Sequence, residues 1–429
     1  MTDVAAPREV DVLVVGAGPA GLTAAVALRR AGAGTVEVLE REQVAGGIPR
    51  HSEHLGYGIR DLRRVISGPE YARRLVAAAV ASGAVLRVGV SVTGWVGGDD
   101  PGPLVLATTS RAGLQAVRAR AVVLATGARE RPRAARLVPG VRAAGVYTTG
   151  ELQQAVYTYG QRIGTRAVIV GAEHVSFSAA VTLDHAGVDV AAMVTERARH
   201  QSYLAFRVGA ALAYRFPVLT GVRVQRLVGS RGRLEGVEVA HPGGTLETIG
   251  ADTVVFTGDW IADNELARSA GLAMDTETTG PLVDTCLRTS RPGVYGAGNL
   301  LHPVLTADCA ALDGWAVAAS VLADLRRGDG AADWTPAAPL GVRLTVAYPL
   351  RWVAPGLVVD PSVPPPRGRF VFWADDFAPA PRICVHQGDR LLHSSRSLTA
   401  LVPGRGFELG ARWLPRVAIG GADLRVTVL

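Results

Sequence analysis

The sequence contains no lysine; all 45 of its basic residues are arginine. That absence excludes Schiff-base chemistry and a Walker A phosphate loop, which both need a lysine amine. Cysteine is nearly missing too. Cys286, Cys309 and Cys384 stand far apart with no CxxC pair. The chain alone therefore supplies neither a disulfide framework nor four thiolates for an iron–sulfur cluster. Such sparse cysteine suits a reducing compartment. Charged residues make up only 19% and aromatics 6%. No stripe of basic residues interleaved with aromatics occurs, so nucleic acid is not expected as a partner despite a net charge of +7. An unbroken apolar run of membrane-spanning length is also absent. The nearest, Val10–Leu28, is interrupted by glycines and Pro19, and Arg8 beside it is followed by Glu9 and Asp11. A cytoplasmic protein without membrane association is expected.

What is present is a large apolar fraction, 48% of 429 residues. A chain of this length and composition buries a core of two or three domains. Up to about Arg327, β-branched runs alternate with Ala-rich helical stretches, which predicts an α/β fold with parallel strands. The buried strands read as continuous apolar runs: Asp11–Val15, Arg120–Thr126, Arg166–Val170 and Asp252–Thr257. One repeat is internal. DVLVVGAGPAGLTAAVALRRAG and RAVIVGAEHVSFSAAVTLDHAG align without a gap. This predicts two nested Rossmann-like dinucleotide-binding domains. The first takes residues 1–145 and 261–327, and the second takes 146–260. A Gly-, Pro- and Ala-rich linker follows at 328–341. Short alternating runs between Pro- and Gly-rich turns then predict a small antiparallel, sandwich-like β domain over 342–429.

Gly16, Gly18 and Gly21 follow the first strand and open a helix at Pro19 and Ala20. In such a turn the first glycine allows the bend, the second lets backbone approach a pyrophosphate, and the third lets helix and strand pack closely. The helix N-terminus then faces the phosphates. Glu40 ends the next strand, 19 residues past Gly21, where a carboxylate accepts hydrogen bonds from a ribose; Arg41 follows it.

Glu40 with Gly46 and Gly47 resembles the FAD-binding flavoproteins rather than simple NAD dehydrogenases. Ala125, Thr126 and Gly127 close the first repeat in the manner of that family. Thr289–Asn299 resembles its late FAD motif, in which an acidic residue bonds the ribityl chain; here Gly298 is followed by Asn299. The resemblance covers residues 10–327 and reaches the two-dinucleotide-domain pyridine nucleotide–disulfide oxidoreductases. The segments Gly46–Leu75, Gly145–Gln154 and Val170–Leu183 look more narrowly like the FAD subunits of amine and opine dehydrogenases, hydrogen cyanide synthase and dye-linked proline dehydrogenase. The resemblance implies FAD as cofactor, a small-molecule substrate, and a second flavoprotein subunit or a homo-oligomer as partner. This chain departs from those subunits in lacking cluster cysteines.

The second repeat reads Gly171, Glu173 and Ser176 where the first has its three glycines. A glutamate there repels a pyrophosphate and fills its space, so NAD(P)H binding is expected to be weak or absent. Arg197, Arg199 and His200 after the next strand suit either a 2′-phosphate or a solvated face, and His174 either contacts a nucleotide or caps a turn. Three places are candidates for chemistry. His51 and His54 carry side chains that titrate near neutrality and suit proton transfer. Glu130–Arg133 reads as structural. At the start of the last Rossmann helix, Cys309 is either a flavin contact or a buried, inert thiol, while backbone amides there favour the reduced flavin anion. The expected function is an FAD-dependent oxidoreductase taking a hydride from a small amine or imino-acid donor. The alternatives are an NAD(P)H-dependent flavin reductase or monooxygenase, and a non-catalytic flavin-binding assembly subunit.

Overall fold

A computed structural model describes residues 6–97, 103–202, 216–303, 305–327 and 341–429. The chain forms two compact units. Met1–Arg50, Gly56–Ala128 and Ala262–Leu429 make the first; His51–Leu55 and Arg129–Ile261 make the second. Of the expected linker, only Gly341 falls among the described residues.

In the first unit, β1 (Arg8–Val15) runs into α1 (Pro19–Arg30), and β2 (Val36–Glu40) returns beside β1. Both strands are parallel, with Val12 opposite Val36 and Val14 opposite Val38. On its other side β1 pairs with β3 (Gly113–Leu124), again in parallel. These strands anchor a seven-stranded sheet whose far edge, Ser91–Val96 and Leu104–Ser110, is antiparallel. The final strand residues of β1 are buried on both faces, as parallel sheets covered by helices require.

The second unit repeats the pattern. Strand β4 (Arg166–Val170) leads into α2 (His174–His185), and β5 (Thr253–Phe256) lies parallel beside β4 in a five-stranded sheet. A three-stranded antiparallel sheet completes the unit. The unit starts at Arg129, ahead of the expected 146. The cause is local bonding of that stretch: Gly140 bridges Leu227, Ala144 bridges Arg233, and Arg136 donates to the carbonyls of Thr257 and Gly258.

The chain then returns to the first unit through a strand at Val294–Gly296, which pairs with β3, and α3 (Ala307–Arg326). Helices α1 and α3 cross backbone to backbone. A Cβ on Gly314 would run into Thr23 and the Ala20 carbonyl, and Thr23 Oγ1 donates to Ala311 O at 2.7 Å.

Residues 342–428 form sheets of five and three strands around one apolar core, to which Val385 and Val426 contribute from one sheet and Phe370 and Phe372 from the other. The expected all-antiparallel pattern is corrected at one place. Val342–Val346 pairs in parallel with Leu424–Val428, because the module's first and last strands meet side by side running the same way. The module also shares a small core with α3, where Leu305 and Cys309 pack against Trp352, Ala354 and Val371. Among the described residues no helix is long and apolar enough to cross a membrane.

Candidate functional site

The turn between β1 and α1 is shaped by two glycines that cannot change. Gly16 has φ +106°, and a Cβ there would run into the Ala125 carbonyl; a Cβ on Gly21 would run into the Gly16 carbonyl. Gly18 differs. Its φ is −81°, open to any residue, and nothing lies within 4 Å of where its Cβ would be. Gly18 is the N-cap of α1, and no side chain caps the helix. Pro19 takes the first helical position, where a missing N–H leaves nothing unpaired. The result is a bare helix N-terminus with room in front of it, which is what an anionic pyrophosphate needs.

The other expected cofactor residues gather around this opening. Glu40 is 9% exposed; its Oε2 accepts the Ala17 N–H at 3.0 Å and its Oε1 accepts the Glu42 N–H at 2.9 Å. The carboxylate is thereby held at the end of β2 with lone pairs left for a ribose. Gly46 donates to Ala17 O at 2.9 Å, and a Cβ on Gly47 would come within 2.9 Å of Gly18 Cα. Gly298, at φ +71°, presses on α1, since a Cβ there would come within 2.7 Å of the Ala20 methyl. Ala125 donates to Val15 O at 2.9 Å, Thr126 Oγ1 donates to Asp263 O at 2.6 Å, and Gly127 O accepts the Asp263 N–H at 2.9 Å. These residues fit FAD.

Three further expected residues bond within the protein. Asn299 Nδ2 donates to Leu305 O at 3.0 Å and its Oδ1 accepts the Leu305 N–H at 3.1 Å, so the amide closes its own loop. The Arg41 side chain is 66% exposed and lies 3.4 Å from Asp263. Cys309 is buried and its thiol accepts a hydrogen bond from Thr306 Oγ1 at 3.3 Å. Burial pushes the Cys309 thiol up, away from thiolate, which fits packing and not nucleophilic chemistry. Sequence reasoning missed Asp263, which follows no spacing rule, and Asp308. Asp308 is buried and accepts the backbone N–H of Arg60 at 3.0 Å, fastening the start of α3.

His51 and His54 belong to the second unit through the segment His51–Leu55. His51 is buried. His54 Nδ1 donates to Leu55 O at 2.8 Å, and burial pushes the ring's pKa down.

The second phosphate loop is closed by its own side chains. Glu173, the N-cap of α2, turns its carboxylate back: Oε2 accepts the Ala172 N–H at 3.2 Å and Oε1 accepts from Thr257 Oγ1 at 3.0 Å. Ser176 Oγ accepts the Glu173 N–H at 3.2 Å and shares a hydrogen bond with Thr257 Oγ1 at 2.6 Å. Burial pushes the Glu173 carboxyl up. Behind it, burial raises Glu130 to about 7. Thr195 stands at the register position of Glu40, and Glu196, one residue on, meets exposed Arg223 at 3.4 Å. The amides of Ala172 and Glu173 are thus already bonded, a side chain fills the place of Gly18, and the position of Glu40 carries no carboxylate. His174 Nδ1 meets Ser202 Oγ at 2.9 Å. Among the described residues no group of histidine, cysteine, aspartate or glutamate could hold a metal ion.

An opine oxidase subunit of Rhizobium meliloti is 29% identical over 340 residues, covering 73% of this chain and 63% of that protein. The same subunit of opine oxidase in Agrobacterium tumefaciens (strain Ach5) is 30% identical over 348 residues, covering 74% and 66%. The chain thus spans slightly less than two thirds of these relatives' length. Thioredoxin reductase of T. acidophilum is similar in structure, with TM-score 0.63, 25% identity, and coverage of 74% of this chain and 99% of that one. L-proline dehydrogenase of P. horikoshii shares the fold, with TM-score 0.55, 19% identity, and coverage of 75% and 57%. The family described as pyridine nucleotide-disulphide oxidoreductase matches residues 10–314. With that match over most of its length and the FAD-type loop at Gly16–Gly21, the chain belongs to the pyridine nucleotide-disulphide oxidoreductase family.

Proposed function

We propose that this chain is an FAD-dependent oxidoreductase that takes a hydride from a small amine or imino-acid donor of the opine kind, with electrons passing on to a partner protein or another acceptor. The carrying observation is the contrast between the two helix N-termini. At α1, Gly18 leaves an uncapped, open end; at α2, the Glu173 side chain stands where Gly18 has none, and Ser176 takes the Glu173 amide. A reductase fed by NAD(P)H needs both sites. A dehydrogenase fed by an organic donor needs only the first. The opine oxidase relatives support the donor class and, being parts of larger enzymes, a partner.

Bound FAD supplies the two-electron acceptor. Gly18 and the first turn of α1 hold its pyrophosphate, and Glu40 holds its ribose. An amine must be unprotonated before it gives up a hydride, so the donor needs a proton acceptor beside it. The test is anaerobic mixing of the flavin-loaded protein with opines, other N-substituted amino acids, NADH and NADPH. Bleaching of the flavin band by an amino-acid donor and by neither nucleotide is expected. Bleaching within seconds by NADH or NADPH would overturn the reading.

A further inference from the structure

The loop after Gly298 and the first turns of α3 meet α1 beside its open end: Gly298 packs on Ala20, and Thr23 bonds Ala311. One side chain of the C-terminal β module reaches into this joint. Arg367 stands at φ +62°, a left-handed conformation that a non-glycine residue adopts only when its surroundings hold it there. Its Nη1 donates to Cys309 O at 3.1 Å and to Asp313 Oδ1 at 2.9 Å. Asp313 is 2% exposed, and its second oxygen meets His302 Nε2 at 2.5 Å. His302, itself 4% exposed, lies three residues beyond Asn299 on the loop. Between these groups is a cavity with room for a water molecule, lined by Leu301, His302, Asp313 and Arg367. His302 Nδ1 and Arg367 Nε are buried there without a hydrogen-bond partner among the described residues.

We propose that Arg367 is a positioning residue for FAD: acting through Asp313 and His302, it fixes residues 298–302 against α3 and makes the β module part of the cofactor site. This rests on FAD being the ligand of the first nucleotide site. A buried ion pair adds little net stability over an apolar substitute, so retaining one inside the apolar joint of Leu305, Cys309, Trp352 and Val371 points to the geometry it imposes. Both ends of the loop are thereby tied. Asn299 bonds Leu305 across it, and His302 is drawn to α3 by Asp313. Arg367 meets the other oxygen of the same carboxylate.

The test compares FAD affinity and the visible circular dichroism of the bound flavin in the full-length wild type, Arg367→Ala, Arg367→Lys and Arg396→Ala. Arg396 is exposed on the same module and serves as control. Arg367→Ala is expected to weaken FAD binding by about tenfold and to change the flavin spectrum, because loss of a supporting contact loosens the groups it orients. Lysine restores part of both, since an ammonium reaches Asp313 as a single point charge. Arg396→Ala leaves both unchanged. Wild-type affinity and spectrum in Arg367→Ala, with only a lower melting temperature, would overturn the proposal. Should Arg367→Ala not fold, Asp313→Asn keeps the shape and removes the charge; the same losses are expected, and their absence is equally decisive. A wild type that takes up no FAD contradicts the reading beneath the proposal and is seen before any variant is compared.

Discussion

Gly16, Gly18 and Gly21 are glycine for separate reasons, and the reasons predict different mutants. Gly16 and Gly21 are needed by the chain itself, because a Cβ at either would strike backbone. Gly18 is needed by the ligand, because its Cβ would meet no protein atom. Gly18→Val is therefore expected to fold with a melting temperature close to wild type and yet to be isolated without FAD. Gly21→Val is expected not to fold. Absorbance near the flavin band, read beside circular dichroism of the backbone, checks both; a yellow Gly18→Val protein would contradict the placement of the pyrophosphate. At this scale the glycines and Glu40 were legible, because turn chemistry is written in spacing. Asn299 was legible as part of the late FAD motif but not in its bonds to Leu305, which depend on a loop path that spacing does not encode. Cys309 likewise revealed its position at the helix start but not the apolar neighbours that keep its thiol protonated.

The helix N-termini are the elements that divide the two repeats. The same strand–turn–helix frame presents an open end at α1 and a self-capped end at α2. The damage at Glu173 and Ser176 could be seen in the sequence as lost glycines. What it could not show is that the carboxylate turns inward, bonding Ala172 and Thr257 instead of projecting at an incoming phosphate. The inward turn places Glu173 near Glu130, which reads from the sequence as structural. Glu130 accepts N–H bonds from Gly150 at 2.9 Å and Gly258 at 3.2 Å, yet burial, aided by the charge of Glu173, raises it from 4.5 to about 7. A carboxyl with a raised folded pKa stays protonated while its unfolded counterpart ionises. Stability should therefore fall as pH rises from about 4.5 to 7 and level off above that, by about 3 kcal/mol for a shift of this size. Glu130→Gln is expected to flatten that slope. Denaturant melts across this pH window check it, and an unchanged slope in the variant would show that Glu130 ionises normally.

The duplicated nucleotide-binding frame was readable at the scale of the whole molecule, since two copies of one pattern align without a gap. The β module was readable as strands and turns, but its parallel closing pair and its arginine reaching α3 were not, because both join residues far apart in sequence. Chain connectivity also hid where the second unit begins: residues 129–145 precede the repeat yet bond to strands more than 80 residues later. A molecule with one open and one occluded nucleotide site should carry a single dinucleotide, FAD, and draw its electrons from an organic donor. Calorimetric titration of the FAD-loaded protein with NADH and NADPH tests this most directly, alongside Glu173→Gly/Ser176→Gly, which empties the second loop. The account predicts no heat of binding at micromolar nucleotide for the wild type and measurable binding of one nucleotide for the double variant. A dissociation constant in the low micromolar range for the wild type would contradict it.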